Sequence, residues 1–397
     1  MNEQETNEIR ESIEDQVQDM ISNMDPLFYH HYMFDDYMKQ EIYKPFEEHV
    51  EYDVFDPMYE SFIEHIFIEL DLVKRSYKYM ERYFVNDNSQ SDQVNYLKHI
   101  PQPAQKTQEW YDFRKKHLTG SNIWKLFSTE STKRQLIYEK LAPSSASHNY
   151  NSLSSGPLNW GHKYEPLSIL FYEYYNDVRV EEFGCVPHKS VPFLAASPDG
   201  IVTSQRQNGR MIEIKNVVSR EITKTPKMEY WIQMQLQMEV CDLKDCDFVE
   251  TKFVEYDNEN AFKADAYRIE KGMIMVFVKN NESYVYEYSP LFQNRDKDLN
   301  TFIQNSFDKY NIDDPQKSVN GIKWFTNVFW KLDVYSSVYV PRNKKWFEAA
   351  YPIMEETWNL IETEQEVEGS YLKYKAKSNK KTTTSTTSTS ENLVVLD

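Results

Sequence analysis

The apolar positions of this chain change period several times, and each change marks an element. From Leu158 to Tyr175 apolar side chains recur at helical spacing (Trp160, Tyr164, Leu167, Leu170, Phe171, Tyr174), which predicts a helix with a broad buried stripe. Phe193 to Ala196 is a short apolar run that breaks into Ser197-Pro198-Asp199-Gly200, the residues of a turn. A second run, Ile201 to Thr203, leads to Asn208-Gly209, a dipeptide that predicts a hairpin. The returning strand, Met211 to Lys215, alternates. It sets Glu213 and Lys215 on one face and Ile212 and Ile214 on the other.

Tyr230 to Val240 reads as a largely buried helix. Phe248–Tyr256, Met273–Val278 and Asp333–Val340 read as strands, and Trp346–Glu362 as a closing amphipathic helix. Upstream, Trp110–Arg114 is a short helix, and Leu118-Thr119-Gly120-Ser121 predicts a helix start with Ser121 as its cap. Residues 281–330 follow no clear period and look like an insertion. Residues 1–100 read as a mainly helical region, with amphipathic stretches such as Tyr59–Phe84 and a polar linker, Asn86–Gln93, before Pro101 and Pro103. Pro143–Ser155 is loop-like, and a disordered tail over 366–397 carries the Lys/Thr/Ser tract Lys377–Ser390.

Composition narrows the class. The chain has 397 residues, 40% of them hydrophobic and 15% aromatic, enough for a substantial core. No apolar run approaches the ~20 residues of a membrane span, and the acidic start resembles no leader, so a soluble intracellular protein is expected. Three cysteines (Cys185, Cys241, Cys246) are too few for a disulfide framework or a four-cysteine zinc site. The net charge of −18 disfavours DNA binding at first sight. Residues 1–100, however, hold 23 acidic and 8 basic residues, a net of −15, which leaves −3 on the other 297. Basic clusters lie in that remainder, at Arg114, Lys115, Lys116 and Lys125, at Lys133, Arg134 and Lys140, and at Lys224 and Lys227.

The hairpin then gains a chemical reading. It brings Asp199, Glu213 and Lys215 together, with the Ile214 carbonyl at the strand edge. Two carboxylates and a carbonyl suit a hard cation such as Mg²⁺ or Mn²⁺, and a neighbouring ammonium can orient water and steady a phosphate. The spacing alone also fits an ordinary surface hairpin. Its neighbours change the balance. Glu165 lies on the polar margin of an apolar helix in Trp160-Gly161-His162-Lys163-Tyr164-Glu165-Pro166. Gln233 and Gln235 interrupt a buried helix, where amides need partners and point to a polar cleft or a core network. Arg114, Thr119 and Ser121 offer a fork, two hydroxyls and a helix start, the parts of a phosphate pocket. His162 and the His30-His31 pair lack metal-ligand spacing.

Arg114/Thr119/Ser121, Trp160–Glu165, Ser197–Gly200, Glu213–Lys215 and Gln233/Gln235 follow one another in an order that resembles the lambda exonuclease and YqaJ-type viral recombinase nucleases of the PD-(D/E)XK superfamily. The resemblance covers about 105–365 and implies a nuclease domain over 101–365 with an insertion at about 255–330. It implies a restriction-endonuclease-like α/β core, a mixed central sheet flanked by helices, to which the N-terminal helical region is added. It also implies 5′-to-3′ digestion of linear double-stranded DNA in viral recombination or genome processing. Asp199, Glu213, the Ile214 carbonyl and Glu165 would hold Mg²⁺, Mn²⁺ substituting, with Lys215 assisting the water and Gln233 lining the cleft beside Gln235. Arg114, Thr119, Ser121 and Ser197 would match a 5′-phosphate pocket. A single-strand annealing protein and further copies of the chain are the partners implied, in a host cell or virion.

Two other readings remain open at this point. One is a CRISPR-associated defence nuclease cutting single strands or circles, though that branch commonly holds an iron–sulfur cluster with four cysteines. The other is a non-catalytic scaffold whose acidic N-terminal region binds a basic partner or mimics DNA, against which the intact Asp199, Glu213 and Lys215 argue.

Overall fold

The computed structural model describes residues 11–13, 15–20, 23, 90–143, 157–223, 225–266, 268–280, 283–312 and 321–375. The Tyr59–Phe84 stretch, the His30-His31 pair, residues 144–155 of the expected loop and the Lys377–Ser390 tract lie outside them.

Two helices open the packed unit. Helix α1 is Ser91–His99 and α2 is Gln108–Lys115, the latter capped by the Thr107 side chain accepting from the Trp110 amide. Strand β1 (Leu118–Thr119) leads into the short α3 (Gly120–Ile123), followed by α4 (Glu130–Leu141) and α5 (Pro157–Asn176). Next come β2 (Val180–Glu181), β3 (Val186–Pro187), β4 (Leu194–Ala196), β5 (Gly200–Val202) and β6 (Met211–Asn216). Helix α6 (Met228–Cys241) crosses to β7 (Asp245–Glu255). After α7 (Glu259–Ala264) run β8 (Lys271–Lys279), β9 (Ser283–Tyr288), α8 (Asp296–Tyr310), β10 (Ile322–Pro341) and α9 (Lys344–Gln365).

Seven strands form one mixed sheet in the order β2-β5-β6-β7-β10-β8-β9, and β1-β4-β3 form a small second sheet. This is the α/β architecture expected, a mixed sheet flanked by helices. The hairpin expected at Asn208-Gly209 is present, β5 and β6 pairing antiparallel with Gly200 opposite Ile212. Gly209 takes φ +85, a left-handed conformation that a side chain would strain. Beyond it, β6 and β7 pair in parallel, with Glu213 opposite Phe248 and Lys215 opposite Glu250.

Alternation decides what each face of β6 meets. Ile212 and Ile214 pack under α5 with Tyr172 and Val249. The opposite face meets α6, where Met211, Phe248, Leu236 and Met238 share the main core with Trp231 and Trp346. Burying one such aliphatic or aromatic side chain contributes about 1.5–3 kcal/mol, so these two layers fix the strand between two helices.

Helix α1 lies on the N-terminal side of the expected boundary at residue 100, yet it belongs to this core. Val94 and Leu97 are buried in it, Gln93 donates to the Cys241 carbonyl (2.6 Å), and Gln90 accepts from the Lys244 amide (3.0 Å). The last four residues of the expected linker are thus the start of a packed helix. The expected insertion also forms part of the sheet. Strand β10 is 20 residues long rather than the eight expected; its C-terminal half pairs with β7 and its N-terminal half with β8. Strands β8 and β9 therefore extend the sheet on that side, with α7 and α8 supplying a core of their own around Phe262, Met275 and Phe277.

At the end of β6 away from Lys215, Arg210 donates to Asp245 (2.8 Å) and Asp247 (3.0 Å), while Tyr172 donates to the other Asp247 oxygen (2.7 Å). Removing one partner of such a buried set leaves charge without compensation. Arg210→Ala is expected to cost about 3–5 kcal/mol in urea unfolding. A cost below about 1 kcal/mol would show that the network does not hold the β6–β7 register.

Candidate active site

The C-terminal half of β6 carries the charged residues into the sheet's interior. Glu213 has no exposed surface. Its Oε1 is paired with the Lys215 ammonium, its neighbour on the same strand face, and its Oε2 accepts from the Gln237 amide at 2.9 Å. Gln237 also donates to the Ser197 carbonyl (3.2 Å), which ties α6 to the turn before Asp199.

Asp199 occupies the position just before β5 begins. Its Oδ2 accepts from the Ile214 amide at 2.7 Å. Because β5 pairs with β6 only as far as Ile212, Asp199 takes over the edge that β5 vacates. In an extended strand the amide and carbonyl of one residue point to the same side, so the Ile214 carbonyl is directed to that edge as well. Burial, reinforced by the Glu213 charge, pushes the Asp199 carboxyl well above its ordinary range, whereas the Lys215 ammonium and the Ile214 amide oppose the rise. Burial alone would lower Lys215; the Glu213 and Asp199 carboxylates outweigh it and hold the ammonium above its usual range. Lys215 also lies 4.9 Å from the Tyr230 ring centroid on α6.

Glu165, on α5, is close enough for its charge to act on Asp199 and is itself paired with Lys106 at 3.5 Å. Among the described residues no three His, Cys, Asp or Glu side chains are gathered closely enough to hold an ion by themselves. The oxygen donors available at the vacated edge are those of Asp199, Glu213 and the Ile214 carbonyl. Mg²⁺ keeps several waters and takes one or two carboxylates, so this set fits it better than a closed cage of side chains would.

A second group adjoins the first. Arg114 donates to the Ser121 hydroxyl at 2.6 Å and stacks over Trp110 at 4.0 Å. The Trp110 indole N–H in turn donates to the Ser197 hydroxyl at 3.0 Å. The Arg114–Ser121 pair and the distant Ser197 are thus joined through the Trp110 ring. Thr119 sits on β1 beside Ala195 of β4 and is only 2% exposed. It, rather than Ser121, is the N-cap of α3, its amide donating to the Asn122 side chain (3.1 Å). Ser121 is free of capping and serves Arg114. Behind Arg114, the buried Lys140 donates to the Arg114 carbonyl (2.7 Å) and to that of His117; burial, with Arg114's charge, lowers its pKa to about 7.

Three side chains that touch this site were not singled out from the sequence: Gln237, Trp110 and Lys106. Helical geometry explains the first. Residues two apart lie on nearly opposite sides of a helix, whereas residues four apart share a face. Gln233 and Gln237 accordingly lie together beside Gly120, where an added Cβ would meet the Cγ of each at 3.3 Å. Gln235 points away. It is 1% exposed, donates to the Pro341 carbonyl (2.9 Å) and accepts from the Asn343 amide (2.6 Å). The expected place for Gln235 in the cleft is therefore corrected: it pins the β10–α9 junction.

These elements place a carboxylate pair and a lysine at the end of two adjacent strands of a mixed sheet, the arrangement expected from the sequence. Residues 109–244 match the family model of the YqaJ-like viral recombinase domain, which bears out the resemblance to that family. The chain is also similar to the uncharacterized protein R354 of Acanthamoeba polyphaga mimivirus, with 26% identity over 342 residues. That match covers 76% of this chain and 59% of the viral protein's length. Among solved structures, the alkaline exonuclease LHK-Exo of Laribacter hongkongensis is similar at 17% identity and a TM-score of 0.39, covering 67% of this chain and 96% of that one. A phage-related exonuclease from Haemophilus somnus 129PT follows at 13% identity and a TM-score of 0.33, covering 62% and 94%. Among the described residues no helix is long and apolar enough to cross a membrane.

Gln235→Ala and Gln237→Ala are each expected to lower stability in urea by about 1–3 kcal/mol, because each strands buried polar partners. Only Gln237→Ala is expected to change Mn²⁺ binding followed by calorimetric titration. An equal change in Gln235→Ala would refute the division of roles.

Proposed function

We propose that the protein is a divalent-metal-dependent DNA nuclease, most specifically a 5′-to-3′ exonuclease on linear duplex DNA. The observation that carries this reading is the convergence of Asp199, Glu213 and Lys215 at the edge where β5 begins, with Asp199 bonded to the Ile214 amide. The match to the YqaJ-like viral recombinase domain supports it.

Asp199, Glu213 and the Ile214 carbonyl would hold Mg²⁺, with Glu165 completing the acidic site directly or through water. When bound, the ion supplies Lewis-acid polarisation of the scissile phosphate and lowers the cost of forming the attacking hydroxide. Lys215, kept charged by its carboxylate neighbours, acts as a donor: it orients the incoming water and steadies charge that develops on the phosphate oxygens. Gln237 and Lys215 together fix the Glu213 carboxylate, while Gln233 lines the approach. At the second group, Arg114 with the Ser121 and Ser197 hydroxyls receives the terminal 5′ phosphate, and Trp110 keeps the arginine plane in place. Thr119 contributes by setting the start of α3. Duplex DNA is the substrate, and further copies of this chain and a single-strand annealing protein are the partners this role calls for.

End-labelled linear duplex separates the parts of this reading. Digestion is expected with Mg²⁺ and not with EDTA, faster from 5′-phosphate than from 5′-hydroxyl ends. Lys215→Ala is expected to slow it by about 100-fold or more, and Arg114→Ala to erase the preference for the phosphate. Full activity of the purified, folded Lys215→Ala protein would sink the assignment.

A further inference from the structure

Strands β8, β9 and the first half of β10 carry two different faces. Register shows which residues share each one, because directly paired residues on adjacent strands point to the same side. Tyr284, Tyr286 and Tyr288 of β9 stand opposite Val278, Val276 and Ile274 of β8, and Lys323 of β10 also stands opposite Val278. Glu287, opposite Met275, is on the other face, where Lys309 and Tyr310 engage it. The tyrosine face of these three strand segments thus carries the exposed Lys323 and no carboxylate.

The tyrosines form a row rather than a cluster. Ring centroids of Tyr288 and Tyr286 are 6.5 Å apart, Tyr286 and Tyr284 6.1 Å, and Tyr284 and Phe325 6.0 Å. Phe325 is 58% exposed and is the extra residue of a register shift between Trp324 and Thr326. A bulge of this kind re-aims a side chain, and here it turns a large apolar ring toward Tyr284 and solvent. At its inner end the row reaches the candidate active site: the Tyr288 hydroxyl donates to the Lys163 carbonyl (2.8 Å), two residues before Glu165, whose charge acts on Tyr288. Lys163 itself is ion-paired with Glu255 there.

We infer that the row Phe325–Tyr284–Tyr286–Tyr288 is a binding track for single-stranded DNA, whose bases stack on the rings while Lys323 meets the phosphates at the outer end. The inference deepens the nuclease reading and rests on it for the direction of the track, toward Glu165. Evenly spaced, partly exposed aromatic rings that end on the exposed Phe325, with Lys323 beside them, suit an unpaired strand, since every base has a π-face and stacking asks for no particular sequence. A duplex, with its bases already stacked, gains nothing from such a row.

Fluorescence anisotropy of a labelled oligo-dT 20-mer on the full chain, in EDTA so that no hydrolysis occurs, tests the track. The double variant Tyr284→Leu/Phe325→Leu keeps apolar bulk but removes two stacking planes, and is expected to weaken binding by about tenfold or more. Tyr284→Phe/Phe325→Tyr, which keeps both rings, is expected to bind as the unmodified chain does. Unchanged affinity in the leucine variant, or no binding of oligo-dT by the unmodified chain, overturns the inference. Cleavage of end-labelled duplex in Mg²⁺ is read separately: digestion without ring-dependent oligo-dT binding leaves the nuclease reading standing and removes the track. Ring-dependent binding without digestion does the reverse.

Discussion

A carboxylate with no access to solvent, Glu213, sits in the interior of the seven-stranded sheet, and much of the surrounding architecture can be traced to its accommodation. An isolated buried charge of this kind would not survive in an apolar core; it would protonate or the core would open. Lys215 supplies the opposite charge from two residues along the same strand, which only an extended backbone allows. Gln237 supplies the remaining donor, which requires α6 to lie close over β6. Gly120 eases that closeness, because a side chain there would press on Gln233 and Gln237. Gly120 in turn places α3, and with it Ser121, next to Arg114. The buried charge and the Arg114–Ser121 pair are thus two ends of one packing arrangement.

The legible part of the sequence was the part governed by local rules. The hairpin followed from Asn208-Gly209 and from alternation in Met211–Lys215, so the Asp199, Glu213 and Lys215 positions came together as expected. Helix α5 followed from its apolar stripe. What could not be read depended on contacts between distant segments. Trp110 looked like an ordinary helical aromatic, and nothing local shows that its N–H finds Ser197, 87 residues away. The glutamines were legible in kind but not in order: Gln-x-Gln draws attention as a pair, while helical geometry pairs Gln233 with Gln237 and sends Gln235 to the β10–α9 junction.

The region from 281 to 330 was opaque for a related reason. In β9, Val285 packs on the α8 side while Tyr284, Tyr286 and Tyr288 face the α5 side. Two apolar faces blur the alternation by which a strand is recognised. The length of β10 was hidden likewise, since its exposed Trp324 and Phe325 read as irregular chain.

That long strand has a mechanical consequence. β10 runs from the β8–β9 segment into the core without a connecting loop, and its only departures from regular pairing are the shifts at Phe325 and Asp333. There is no hinge between the two regions, so a load taken up by the outer strands is transmitted along a continuous ribbon to β7, whose neighbour β6 bears Glu213 and Lys215. Whatever the outer segment grips is held at a fixed angle to the edge where Asp199 meets Ile214, in the manner of a rigid jig rather than a swinging arm.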